Sequence, residues 1–158
     1  MNSFDAARAW FGALVQGDGV EAWRRTDLAY RRLLATRWAD NEGLALDDPR
    51  VEYLLHCIVE EGQDDESWRD FARSQRLGFL DALPDSAKRG EWSWVERPRL
   101  VAPDCEVVYL VDSGELSASR GSDAPVAMVS TVKFFMRVHG SEWLLLGLHE
   151  LDFAEASD

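Results

Sequence analysis

The chain has 158 residues, the length of one ordinary domain, and 46% of them are hydrophobic, which is enough to form a normal core. Asp and Glu outnumber Lys and Arg by 29 to 17, which gives a formal net charge of -12. Because such a surface repels nucleic-acid backbones and anionic lipid, we expect no nucleic acid and no membrane as partners.

The two cysteines, Cys57 and Cys105, are far apart in the sequence, so they predict reduced thiols rather than a disulfide scaffold or a zinc cluster. The longest apolar runs, such as residues 144–148, are too short to span a bilayer. The first residues lack the basic and apolar regions of a signal peptide. We therefore expect a cytoplasmic protein.

The first half of the chain carries helical patterns. Apolar residues recur at helical spacing over residues 4–15, after a cap at Ser3 and before the glycines of segment 17–19. After a short segment at residues 21–25, a cap at Thr26 or Asp27 predicts a second helix, which is rich in arginine and ends near residues 41–43.

Two further helices are predicted before residue 83. Asp48 lies directly before Pro49, which places a capping carboxylate next to a proline at the first helical position. That helix would run to Gly62, and an acidic cluster at residues 64–66 would begin the last one.

From residue 84 onward, aromatic and β-branched residues in alternating patterns replace the helical period. Strands are predicted at about 91–101, 106–112, 125–138 and 142–151, with a loop at 113–124 and a tight hairpin turn at 139–141. These patterns predict one α+β domain. Its helical half covers about residues 3–83 and its mainly antiparallel sheet about 91–151, followed by a short acidic tail.

Three segments resemble the nuclear transport factor 2-like superfamily. They are AWFGALVQGD at residues 9–18, AWRRT at 22–26 and the hairpin FFMRVHGSEW at 134–143. The resemblance implies a curved sheet wrapped around the helices to form a conical cavity. The superfamily includes isomerases, dehydratases, cyclases and many non-catalytic modules, and its members commonly form dimers. Members commonly have a short hairpin between the second and third helices, whereas residues 40–83 here are predicted to be helical.

Candidate site residues follow from this architecture. His149 alternates with apolar residues on one face of the last predicted strand, and its imidazole would be the best general acid or base if that face lines a cavity. Its companions would be Tyr30, Tyr109 and Asp112. A hydrogen-bonded core histidine is the alternative. An aromatic pocket for a hydrophobic ligand would use Tyr30, Trp92, Trp94, Tyr109 and His149. Core packing is the leading alternative for each aromatic residue.

Other patterns have simpler interpretations. Glu52, His56 and Glu60 are spaced to share one helical face, but three residues on two turns predict a solvated salt-bridge row rather than a metal site. His139, beside Gly140, is interpreted as a turn residue. The arginines of the helical half are expected to pair with nearby acids; they are Arg24, Arg25, Arg31, Arg32 and Arg37. No metal and no cofactor are expected.

The leading hypothesis is a non-catalytic binding or protein-interaction module, because the sequence offers no convergent set of reactive groups. The alternative is a small cofactor-free isomerase, dehydratase or cyclase that acts on a hydrophobic substrate in the cavity. A third is a toxin-neutralising or regulatory protein whose acidic surface mimics an anionic ligand.

We also expect a homodimer. The two long C-terminal strands are apolar on both faces, so a partner's sheet would cover the outer face through Val129 and Phe135.

Overall fold

The computed structural model describes residues 1–56, 66–83, 90–114 and 131–148, with the backbone alone at 55–56. The protein has an α+β fold in which N-terminal helices precede a curved, open, four-stranded antiparallel sheet. The described elements are α1 (Ser3–Gln16), α2 (Gly19–Arg24), α3 (Leu28–Asn41), α4 (Pro49–His56), α5 (Glu66–Ala82), β1 (Trp92–Ala102), β2 (Cys105–Asp112), β3 (Thr131–His139) and β4 (Glu142–Gly147). None of the described helices is long and apolar enough to cross a membrane.

Helix α1 begins one residue earlier than its sequence predicts. Asn2, rather than Ser3, is the N-cap, and its side chain accepts a hydrogen bond from the backbone N–H of Asp5. Ser3 is buried inside the helix, where its hydroxyl donates to the carboxylate of Glu106 on β2. The helix ends at Gly17, whose left-handed φ of 84° suits a glycine C-cap.

The predicted caps of α3 and α4 are present. Asp27 caps α3 by accepting from the N–H of Ala29, and Asp48 accepts from the N–H of Arg50 in the first turn of α4. Pro49 occupies the first helical position of α4, where the missing N–H has no cost. The Arg50 side chain and backbone N–H lower the pKa of Asp48 to about 2.

The strand order is β1-β2-β3-β4, so each strand pairs with its neighbour in sequence. The hairpin between β3 and β4 pairs His139 with Glu142, and Gly140, at φ 63°, takes the first position of its two-residue loop. On the other side of β4, Leu145 forms backbone hydrogen bonds with the segment between α2 and α3. The sheet and the helical layer are thereby joined through the main chain.

Buried residues form three clusters. The inner face of the sheet packs against α1 through residues such as Trp10, Val108 and Phe134. A second cluster lies within the helical layer around Trp38 and Phe71. A third lies on the outer face of the sheet and contains Cys105, Val107, Phe135 and Leu146, with Ala29 of α3 packed against it.

Phe135 therefore has little surface to offer a second copy. Its relative exposure is 4% within one chain, and the neighbouring Leu146 is fully buried. An apolar outer face argues for a dimer only if the chain itself leaves that face open. The homodimer stays a prediction from the sequence, but the side chain chosen for its interface is already covered. Val129 lies outside the described residues.

Candidate functional site

A cavity of about 550 Å³ lies within the helical layer and reaches the sheet at the first residues of β3. Its walls come from α1, α2, α3, α5 and the first residues of β3, so it separates two of the buried clusters. The described lining residues with large apolar side chains are Trp10, Leu14, Trp23, Tyr30, Leu34, Trp38, Trp68, Phe71, Phe79, Leu83, Val132 and Leu148. The volume falls within the range of about 300–1,000 Å³ found for small-molecule sites.

The helical spacing of the sequence supplies the two long walls. On α3, Tyr30, Leu34 and Trp38 recur every four residues and so share one face. On α5, the lining residues include Trp68 and Phe79 and recur every three or four positions. Each helix therefore presents a continuous stripe to the cavity.

Ring contacts hold the aromatic walls in place. The ring centroids of Trp23 and Phe71 are 4.8 Å apart in an edge-to-face arrangement, and Trp38 meets Phe71 at 5.8 Å. At the α1 side, Trp10 and Phe79 are 5.6 Å apart. Because these side chains are fixed by each other, the cavity has a defined shape.

Three buried polar side chains of the cavity wall form hydrogen bonds within the protein. The indole Nε1 of Trp10 donates to Thr26 Oγ1 at 3.1 Å, and Thr26 Oγ1 donates to the carbonyl of Ala22 at 2.7 Å. The indole Nε1 of Trp23 donates to the carbonyl of Leu54 at 3.0 Å. These groups complete their bonds within the protein, so this part of the wall is chemically apolar.

The mouth of the cavity is polar. Arg37 and Asn41, four residues apart on α3, lie across from Ser74, Gln75 and Gly78 of α5. Asn41, Ser74 and Gly78 are exposed, whereas Arg37 and Gln75 are half-buried. Ala82 and Thr131 are the other exposed residues among the described lining, and we infer an entrance between the C-terminal halves of α3 and α5.

No family model, curated protein or solved structure matches this chain. The resemblance to the nuclear transport factor 2-like superfamily thus remains a prediction from the sequence.

The predicted ligand-binding residues occupy different places. Tyr30 lines the cavity and is 2% exposed. Trp92 and Trp94 pack against the α1 cluster, where Trp94 contacts Phe134 at a centroid distance of 5.2 Å, and neither is among the described lining residues. Tyr109 packs against the outer-face cluster.

His149 lies outside the described residues, although Leu148, the residue before it, lines the cavity. Asp112, the proposed companion, is buried at the end of β2. Within the described part of the chain, Tyr30 is thus the predicted site residue that the fold places at the cavity.

The tryptophans of the helical layer were not assigned to the site from the sequence. Trp10, Trp23, Trp38 and Trp68 all line the cavity. Their periodic positions indicate buried helix faces, which is the sequence signal available. Periodicity does not show whether two such faces touch or leave a gap.

Asp27, Arg137 and His139 form a polar cluster on the outer face of the sheet. Asp27 is 2% exposed, and its Oδ2 lies 2.5 Å from Nε2 of His139 and 3.9 Å from Nη1 of Arg137. His139 is the last residue of β3 rather than a residue of the turn, and it alternates with Phe135 and Arg137. The cluster therefore faces away from the cavity, and it joins the start of α3 to the hairpin.

Cys105 lies beside this cluster. Burial, with a smaller contribution from Asp104, raises the pKa of its thiol to about 11. At neutral pH the thiol is therefore protonated and a poor nucleophile. Asp27 and His139 thus have no reactive cysteine to activate.

Several of the arginines of the helical half are paired within the protein. Arg24 and Arg25 both form salt bridges with Glu21, and Arg31 donates to the backbone carbonyls of Thr26 and Arg24. Of the row predicted to form solvated salt bridges, Glu52 is exposed, while the side chains of residues 56 and 60 are not described. Within the described residues, no group of three or more His, Cys, Asp or Glu side chains could hold a metal ion.

Proposed function

We propose that the protein is a non-catalytic binding module that holds a small hydrophobic molecule in the cavity. The observation that carries the proposal is a 550 Å³ space walled by mutually packed aromatic side chains. The inner hydrogen bonds of this apolar cavity are already formed within the protein. Binding is therefore favourable in free energy when the surface of an apolar ligand replaces water or empty space in the cavity.

The ionisable groups at the cavity favour binding over catalysis. An acid–base enzyme needs at least two titratable groups that converge on the reacting atoms. Among the described lining residues, the ionisable side chains are Tyr30 and Arg37. The alternative, a cofactor-free isomerase, dehydratase or cyclase, would therefore depend on His149.

The proposal includes an architecture of the nuclear transport factor 2-like type, which rests on the three sequence segments that resemble that superfamily. Helices α1 to α3 come first, and the antiparallel sheet packs its inner face on α1. The helices α4 and α5 stand where members of that superfamily commonly have a hairpin. In this proposal, α5 replaces the hairpin as one wall of the cavity. The cytoplasmic location and the homodimer are kept as predictions.

A cavity-blocking substitution tests the binding proposal. Gly78 lies at the mouth on α5, and a Cβ added there has no neighbour within 4 Å, so Gly78→Phe can fold while its ring obstructs the entrance. Gly12 on α1 is equally free of neighbours and is not among the described lining residues. Gly12→Phe is therefore the matched control.

The probe is N-phenyl-1-naphthylamine, a neutral aromatic molecule whose binding quenches tryptophan emission. We expect the wild type to bind it with a Kd of about 100 μM or tighter. Gly78→Phe should weaken binding by about tenfold or more, which corresponds to ~1.4 kcal/mol, whereas Gly12→Phe should change it by less than about twofold. Absence of saturable binding, or equal effects of the two substitutions, would refute the proposal.

The His149→Ala variant separates the two candidate functions. The binding proposal expects the Kd of the probe to change little, since it gives the imidazole no chemical role. Loss of a biological activity by more than about a hundredfold, with folding and probe binding intact, would instead indicate a general acid or base.

A further inference from the structure

The charge at the mouth of the cavity narrows the class of ligand. Arg37 is the one charged side chain among the described residues that line the cavity. It stands in a protein with a formal net charge of -12, whose field otherwise disfavours anions. We propose, on the basis of the proposed binding function, that the ligand is amphipathic, with an apolar body inside the cavity and one anionic group held at Arg37.

The polar groups of the mouth suit such an end group. Arg37, Asn41, Ser74 and Gln75 all carry side-chain N–H or O–H donors. A carboxylate, sulfonate or phosphate accepts several such hydrogen bonds at once. The deeper wall is different, because Trp10, Trp23 and Thr26 complete their hydrogen bonds within the protein. A polar group pushed to that depth would lose its water without gaining a partner. The ligand's orientation is thereby fixed, with the apolar part inward.

Arg37 can bind an anion while it keeps its contact within the protein. The side chain is half-buried and already has a contact within the protein. A guanidinium has five N–H donors in a planar fork, so it can keep a partner in the protein and still donate to a ligand. Partial burial also strengthens its attraction for an anion relative to a fully solvated arginine.

The negative potential at the C-terminal end of α3 disfavours an anion, but it is weaker than the attraction of the positive charge on Arg37. The mouth lies near the C-terminal end of α3, where the exposed carbonyls amount to roughly half a negative charge. Arg37 contributes a full positive charge one turn before that end. Hydrogen bonds from Glu42 N and Gly43 N to the carbonyls of Trp38 and Asp40 further reduce the negative potential.

Two probes with the same body test the inference. N-Phenyl-1-naphthylamine is neutral, and 8-anilinonaphthalene-1-sulfonate adds one sulfonate to that ring system. We expect the wild type at about 0.15 M salt to bind the sulfonate about tenfold more tightly than the neutral probe, the lower end for a charge-assisted contact at a half-exposed site. Gly78→Phe should weaken both, because both share the cavity.

Arg37→Gln should remove the preference for the sulfonate and leave the Kd of the neutral probe within about twofold. The control is Arg32→Gln, on the exposed face of the same helix, which changes the net charge of the protein by the same amount. It should leave both affinities unchanged apart from a small long-range effect that added salt screens.

The outcomes separate the two proposals. If the neutral probe binds in the cavity but the sulfonate has no advantage, or Arg37→Gln acts no differently from Arg32→Gln, the anionic class is refuted and the binding function stands. If neither probe responds to Gly78→Phe, both are refuted. Arg37→Gln could also lose binding of both probes while its circular dichroism stays native. That result would mean that Arg37 maintains the structure of the mouth, and it would refute its role in anion selection.

Discussion

Replacing Asp27 tests how the helical layer is attached to the sheet. Its carboxylate accepts the N–H of Ala29 at 2.8 Å, which caps α3, and the other oxygen lies 2.5 Å from Nε2 of His139. The residue is 2% exposed, so water cannot replace these partners without structural change. One side chain therefore joins a helix start to the end of β3.

The expected cost follows from these contacts. Loss of the cap costs about 1 kcal/mol, and loss of a hydrogen bond to a charged group about 1.5–3 kcal/mol. The ion pair with Arg137, at 3.9 Å, adds a few tenths. We expect Asp27→Ala to lower the free energy of unfolding by about 3–4 kcal/mol. Asp27→Asn keeps a capping oxygen and should lose about half of that.

Urea unfolding monitored by tryptophan emission measures both variants, with Asp18→Ala as the control. Asp18 caps the short helix α2 by accepting from Glu21 N, but it is exposed. Its loss should cost about 0.5–1 kcal/mol. If Asp27→Ala costs no more than Asp18→Ala, or Asp27→Asn leaves the free energy of unfolding unchanged, the contact with His139 does not stabilise the fold.

Four further results are expected. Gly12→Ala and Gly78→Ala should each raise the free energy of unfolding by about 0.5–1 kcal/mol. The reason is that the added Cβ has no neighbour within 4 Å and that alanine favours a helix more than glycine does. A lower Tm for either variant would contradict this prediction. In a Cys57→Ser background, Cys105 should react with a thiol reagent at pH 8 only after unfolding, since a pKa of about 11 leaves about one thiol in a thousand ionised. That raised pKa stabilises the fold below about pH 9, and the contribution is lost as the pH rises through about 11, which alkaline urea titrations can follow. Phe135→Glu should unfold the chain rather than merely separate a dimer, because the side chain is 4% exposed; a folded monomeric variant in light scattering with circular dichroism would show that the face opens.

The sequence by itself determined the local structure well where a short-range rule applies. Pro49 after Asp48 fixed the start of α4, and Asp27 the start of α3, because a cap needs only its own side chain and the next two or three N–H groups. Gly140 likewise marked the hairpin, since a left-handed φ favours glycine. The α+β class followed from the change of hydrophobic period.

Only the tertiary structure decided what lies between the elements. The stripe of Tyr30 and Trp38 on α3 predicts a buried face, but the cavity exists because that stripe touches the one on α5 at Phe71 and leaves a space beside this contact. The pairing of Asp27 with His139 joins residues 112 positions apart, which no local pattern encodes. Phe135 is covered by packing within its own chain, although its alternation alone indicated a free face. Side-chain period records which way a residue points, whereas the distance to the facing element depends on how the whole chain packs.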